Sequence, residues 1–148
     1  MPKYSYPLAK YTFSDGSSDD FAYHTLIPVR ITNPATGQSV HITGLVDTGA
    51  DACLFPADIV EVTGHNLTGD GVKSNVNVGI EQTSVSVYKH TFIIEVLSPE
   101  YTEIVWSSDE IEIDCSTSNP PVLLGAIDFL RYFRLTVDYI NEMLHLEW

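Results

Sequence analysis

The stretch Gly44-Leu45-Val46-Asp47-Thr48-Gly49-Ala50-Asp51 constrains this chain more than any other, because it ends an apolar strand on a carboxylate and turns at once. A strand that runs into a tight turn presents the first turn residue at the end of its sheet, so Asp47 stands where another molecule can reach it. Thr48 has a hydroxyl that can tie the turn backbone, and Gly49 permits close approach of chain or substrate. Asp and Gly are also common in plain surface turns. The tripeptide therefore needs a second signal.

That signal lies far along the chain, in Val122-Leu123-Leu124-Gly125-Ala126-Ile127-Asp128-Phe129-Leu130. Pro120-Pro121 stiffens the entry into a buried strand, Val122-Leu123-Leu124. Gly125 then opens a helix predicted over Ala126 to Phe133, with Ile127, Leu130 and Phe133 at helical spacing. In this order the two segments resemble the retropepsin-like (retroviral-type) aspartic proteases, and the resemblance covers about Tyr23 to Trp148. It implies a mainly β chain: a closed-type β-barrel domain with a flap hairpin and one short C-terminal helix, forming a two-fold homodimer. It also implies that Asp47 is catalytic with Thr48 and Gly49 in support. Substrate contacts would fall on Ala50, Asp51, Leu124, Gly125 and a flap tip at Val78, Gly79 and Ile80.

One position departs from the pattern. Retroviral enzymes usually carry Arg after the second-motif glycine, where this chain has Ala126. Asp51 then needs another partner or stays solvated, and Arg30, Arg131 and Arg134 are the candidates.

The chemistry of the carboxylate bears on assembly. Activating water for amide hydrolysis and protonating the leaving group together require one ionised and one protonated acid at a shared site. Two carboxylates about 3 Å apart cannot both ionise, so such a pair meets the need. The chain has a single Asp-Thr-Gly. A homodimer with one Asp47 from each copy on the symmetry axis is the economical solution. The alternative from a different class is a non-catalytic peptide-binding or assembly module that keeps the fold.

Composition narrows the partners. The 148 residues suit one domain, and 44% apolar residues suffice for a core. A net charge of −13 repels nucleic acid and anionic membranes; the resemblance implies a peptide or protein substrate and a second copy of the chain as partners. No run of about 18 apolar residues occurs, and Met1 to Tyr6 lacks the apolar run of a signal peptide, so a cytoplasmic location is expected. Cys53 and Cys115 read as buried or free thiols, with Cys53 packed near the active turn. His24, His41, His65, His90 and His145 are scattered without ligand spacing, and no cofactor or metal is implied. Asn66-Leu67-Thr68 matches a glycosylation acceptor and is read as a chance match.

The remaining pattern is strand-like. Residues 1–22 read as an extended N-terminal arm and loop, and residues 23–148 as the protease domain. His24 to Thr32 and Ser39 to Val46 form a predicted hairpin around Asn33-Pro34-Ala35-Thr36-Gly37-Gln38. Pro56 to Val62 suits one short helical turn. Val72 to Ile80 and Thr83 to Leu97 make a long hairpin tipped by Val78 to Gln82. Ser98 to Asn119 reads as an inserted or elongated hairpin that decorates a sheet edge. Leu135 to Asp138 and Met143 to Trp148 form a closing hairpin, whose last strand is expected to supply a dimer edge.

Overall fold

The computed structural model describes residues 1–12, 21–78 and 84–148. In chain order the strands are β1 (Lys3–Pro7), β2 (Ala9–Thr12), β3 (Phe21–His24), β4 (Leu26–Thr32), β5 (Ser39–Val46), β6 (Leu54–Pro56), β7 (Ser74–Val78), β8 (Ser84–Leu97), β9 (Ile104–Ser107), β10 (Ile111–Ser116), β11 (Leu123–Leu124), β12 (Arg134–Asp138) and β13 (Met143–Glu147). The α-helix α1 (Ala57–Val62) follows β6 and buries Ile59 and Val60.

Six of these strands close into a barrel. β4 pairs antiparallel with β5 and β8, β5 runs parallel to β11, and β11 is antiparallel to β6. β6 runs parallel to β10, and β10 is antiparallel to β8, which completes the ring. Alternation decides which side faces in. Ile27, Val29 and Ile31 of β4, Phe92, Ile94 and Val96 of β8, and Ile113 and Cys115 of β10 all have 0% exposure. The hairpin predicted ahead of Asp47 is β4 and β5, in register from Leu26↔Leu45 to Thr32↔Ser39. β7 and β8 form the predicted long hairpin, from Ser74↔Tyr88 to Val78↔Ser84. Its tip at Gly79 and Ile80 lies outside the described residues.

Three expectations are corrected. Ser98 to Asn119 is not an edge hairpin. β9 and β10 do not pair with each other; each pairs with β8, and β10 closes the barrel. The predicted C-terminal helix over Ala126 to Phe133 is instead a mixed turn ending in a 3-10 turn at Leu130–Tyr132. Its backbone bonds reach back four residues (Phe129 to Gly125), five (Leu130 to Gly125, Arg131 to Ala126) and three (Phe133 to Leu130), so no regular helical ladder forms. The short helix of the fold is α1.

The last strand is the third correction. β13 lies between β1 and β12, so both its edges are already paired. Its alternate residues Leu144 and Leu146 are completely buried. β13 therefore has no edge to offer a second copy, and among the described residues the outer strands of this sheet are β1 and β12. Residues 3–7 are built into the fold as β1. Tyr6 and Leu8 join the core, and the Tyr6 hydroxyl donates to the Leu97 carbonyl at 2.7 Å.

Candidate active site

The end of β5 is gripped from two sides before the chain turns. The Val46 N–H donates to the Thr25 carbonyl at 2.8 Å, and the Thr25 hydroxyl donates back to the Val46 carbonyl at 2.7 Å. On the other side Leu45 N–H donates to Val122 at 2.8 Å and Asp47 N–H to Leu124 at 3.1 Å. The turn then closes on Asp47 itself. Its carbonyl accepts from the Ala50 N–H at 3.2 Å, and its Oδ1 accepts from the Gly49 N–H at 2.9 Å.

The two motifs interlock below this turn. Ala126 and Ile127 donate their N–H groups to the carbonyls of Ala50 and Asp51 at 2.9 and 2.7 Å. Asp128 Oδ2 accepts the Cys53 N–H at 2.9 Å, and the Gly125 N–H donates to Cys53 Sγ at 3.3 Å. Burial pushes the Cys53 thiol up to about 12, with the Asp128 charge adding to the shift and the Gly125 N–H opposing it. The thiol stays protonated and inaccessible at neutral pH, so its place is packing under the turn.

Asp47 is half-buried, while Thr48, Gly49 and Asp51 are exposed and Ala50 is half-buried. Leu124 and Gly125 are buried beneath the turn. Val78 ends β7; Gly79 and Ile80 lie outside the described residues. Thr48 does not tie the backbone as expected: among the described residues its hydroxyl has no hydrogen-bond partner, and Asp47 makes the tie instead. Thr48 borders an open apolar groove of about 510 Å³ with Ala126, Ile127, Leu130, Arg131 and Leu135. On the other flank Ala50, Asp51, Leu54, Asp114 and Leu123 line a recess of about 490 Å³.

Among the described residues the Asp51 carboxylate has no ion pair. Arg30 is taken by Glu95 at 2.5 Å, and Arg131 lies over the Tyr132 ring at 5.6 Å. Asp51 stays solvated, and its loop is held through its carbonyl. The bracing roles of Thr25 and Asp128 were not foreseen. Asp128 three residues past a motif glycine is the one local hint, since a short carboxylate there can reach a neighbouring N–H.

No family model matches the sequence, and no curated protein matches it. Solved structures do. A retropepsin-like aspartic protease from Rickettsia conorii superposes with a TM-score of 0.61 at 18% identity, covering 98% of this chain and 90% of that one. EIAV protease complexed with the inhibitor HBY-793 matches with a TM-score of 0.46 at 13% identity, covering 78% and 88% of the two chains. The chain has a retropepsin-like fold.

Within this retropepsin-like fold, no group of three or more His, Cys, Asp or Glu side chains among the described residues is placed to hold a metal ion. No helix among them is long and apolar enough to cross a membrane.

Proposed function

We propose that the protein is an aspartic-type endopeptidase whose active form is a two-fold homodimer with one Asp47 from each copy at a shared site. The observation that carries this reading is the setting of Asp47. One carboxylate oxygen is held by the Gly49 N–H, on a turn braced by Leu124 and by the Gly125 segment. Such a turn fixes a reactive group without burying it.

In the reaction the ionised Asp47 takes a proton from water, and the water oxygen attacks the peptide carbonyl carbon. The protonated Asp47 of the second copy gives its proton to the carbonyl oxygen. Collapse of the tetrahedral diol breaks the C–N bond, as the leaving nitrogen takes a proton from the first Asp47 and the second recovers one from the diol. Thr48 and Gly49 shape the turn. Ala50 and Asp51 form a wall for the substrate, and the β7–β8 hairpin, with Val78, Gly79 and Ile80, serves as a lid that excludes water. Leu124 and Gly125 act through the turn they seat. Because β13 is already paired on both edges, the second copy docks on the apolar groove beside Thr48 and along β12.

The test is hydrolysis of a mixed peptide library, with and without pepstatin, by wild type and Asp47→Asn across pH. A dyad sharing one proton gives a bell-shaped profile. The Asn variant should fold, dimerise and be inactive. Wild-type-like cleavage by folded Asp47→Asn would refute the assignment, and peptides bound but never cleaved by wild type would favour the binding module. Sedimentation over a concentration series checks assembly: full specific activity in a persistent monomer would exclude the shared site.

A further inference from the structure

Residues 64–72 join α1 to β7, and two histidines clasp this loop to β8. His65, on the loop, donates from Nε2 to the Thr91 carbonyl at 2.9 Å. His90, on β8, donates from Nε2 to the Leu67 carbonyl at 3.0 Å. A carbonyl oxygen only accepts, so each neutral ring carries its proton on Nε2 and leaves Nδ1 bare. The ring centroids are 4.9 Å apart, and His65 also stands edge-on to Phe92 at 5.1 Å. His90 is only 6% exposed.

We propose that His90, clasped beside His65, is an acid-operated latch: neutral, it fastens the 64–72 loop to β8, and charged in mildly acidic solution it releases the loop. Charging the His90 ring adds an N–H on Nδ1, which among the described residues has no hydrogen-bond acceptor in a site only 6% exposed. Burial holds the His90 pKa below its ordinary value, with the Leu67 carbonyl opposing that shift and His65 adding to it. Folded His90 thus binds fewer protons than the released form. The latch is at full strength above about pH 6.5 and weakens as pH falls from there toward the lowered pKa.

The surrounding charges do not neutralise the pair. Glu110 lines the recess beside His65, and Glu112 stands opposite Thr91, engaged by Lys73 at 3.2 Å. Lys89, next to His90, is engaged by Asp114 at 2.8 Å. Glu61 and Asp70 are exposed near the two ends of the loop. Among the described residues no carboxylate is hydrogen-bonded to either ring. Release reaches the base of the β7–β8 hairpin, because Lys73 follows the loop directly and accepts the Lys89 N–H at 2.9 Å. The latch does not depend on the chemistry at Asp47.

The test is amide hydrogen exchange on the full chain at about pH 7.5 and about pH 5, either side of the ordinary histidine pKa and corrected for intrinsic rates. In wild type, protection across 64–72 and at Lys89 should fall several-fold relative to the barrel core. His90→Gln retains an amide donor that does not titrate, so its protection should be independent of pH. Unchanged protection in wild type, or an equal fall in wild type and His90→Gln, overturns the proposal. Should that variant fail to fold, NMR titration of wild type decides: loop opening must track the His90 midpoint, and opening at a different pH refutes the latch.

Discussion

Gly125 lies so close to Ala52 that a Cβ on it would stand 2.3 Å from the Ala52 carbonyl oxygen and 2.4 Å from its carbon. The constraint is close approach of two backbones, and it locks the turn carrying Asp47 to the segment that follows β11. Gly44 is a useful contrast. A Cβ there would meet Leu124 Cδ1 at 2.7 Å, the end of a side chain that can rotate away.

Gly125→Ala should therefore destabilise the fold by about 1–3 kcal/mol or more, since backbone must move, with a smaller loss for Gly44→Ala. Urea unfolding of the two variants checks the order. Equal midpoints would mean that the turn yields as readily as a leucine side chain.

Cys53 should be silent toward thiol reagents at pH 8 in the folded protein and should react on unfolding, because burial holds its thiol at about 12. Cys53→Ala leaves the Gly125 N–H without its acceptor and should cost about 1–3 kcal/mol. Labelling followed by mass spectrometry, alongside thermal melts, measures both. Rapid labelling of the native chain would contradict the buried setting.

The carboxylates around the turn should separate cleanly. Asp128→Ala removes the acceptor of the Cys53 N–H and should cost about 1–3 kcal/mol. Asp51→Asn alters an exposed group with no ion pair among the described residues and should change stability by no more than about 0.5 kcal/mol. Denaturant midpoints for the two variants decide, and a large loss for Asp51→Asn would reveal an ionic partner.

Deleting residues 1–8 should destabilise the protein strongly, because it uncovers one edge of β13 and removes Tyr6 and Leu8 from the core. Tyr6→Phe should have a milder effect of about 1–3 kcal/mol, the cost of leaving the Leu97 carbonyl unsatisfied. Calorimetry on the three chains gives the comparison. A deletion as stable as the full chain would show that this segment is a detachable arm.

The features readable in the sequence are those set within a few residues. Period-two alternation in Leu26–Thr32 and Ser39–Val46 puts a hairpin ahead of Asp47, since successive side chains on a strand face opposite ways. The Asp-Thr-Gly turn and the apolar run before Gly125 belong to the same class of local signal. Tertiary structure decided what depends on partners far along the chain. Ile111–Ser116 looks like edge decoration by itself; it closes the barrel because β6 and β8 both offer it an unpaired edge. Met143–Glu147 looks like a free terminal strand, but it is central because Lys3–Pro7 returns to pair with it. The helical spacing of Ile127, Leu130 and Phe133 did not produce a helix there, because Ala126 and Ile127 give their N–H groups to Ala50 and Asp51 and the turn follows that anchorage. Local alternation sets which face a strand buries; which strand lies beside it is set by backbone groups finding partners across the whole chain.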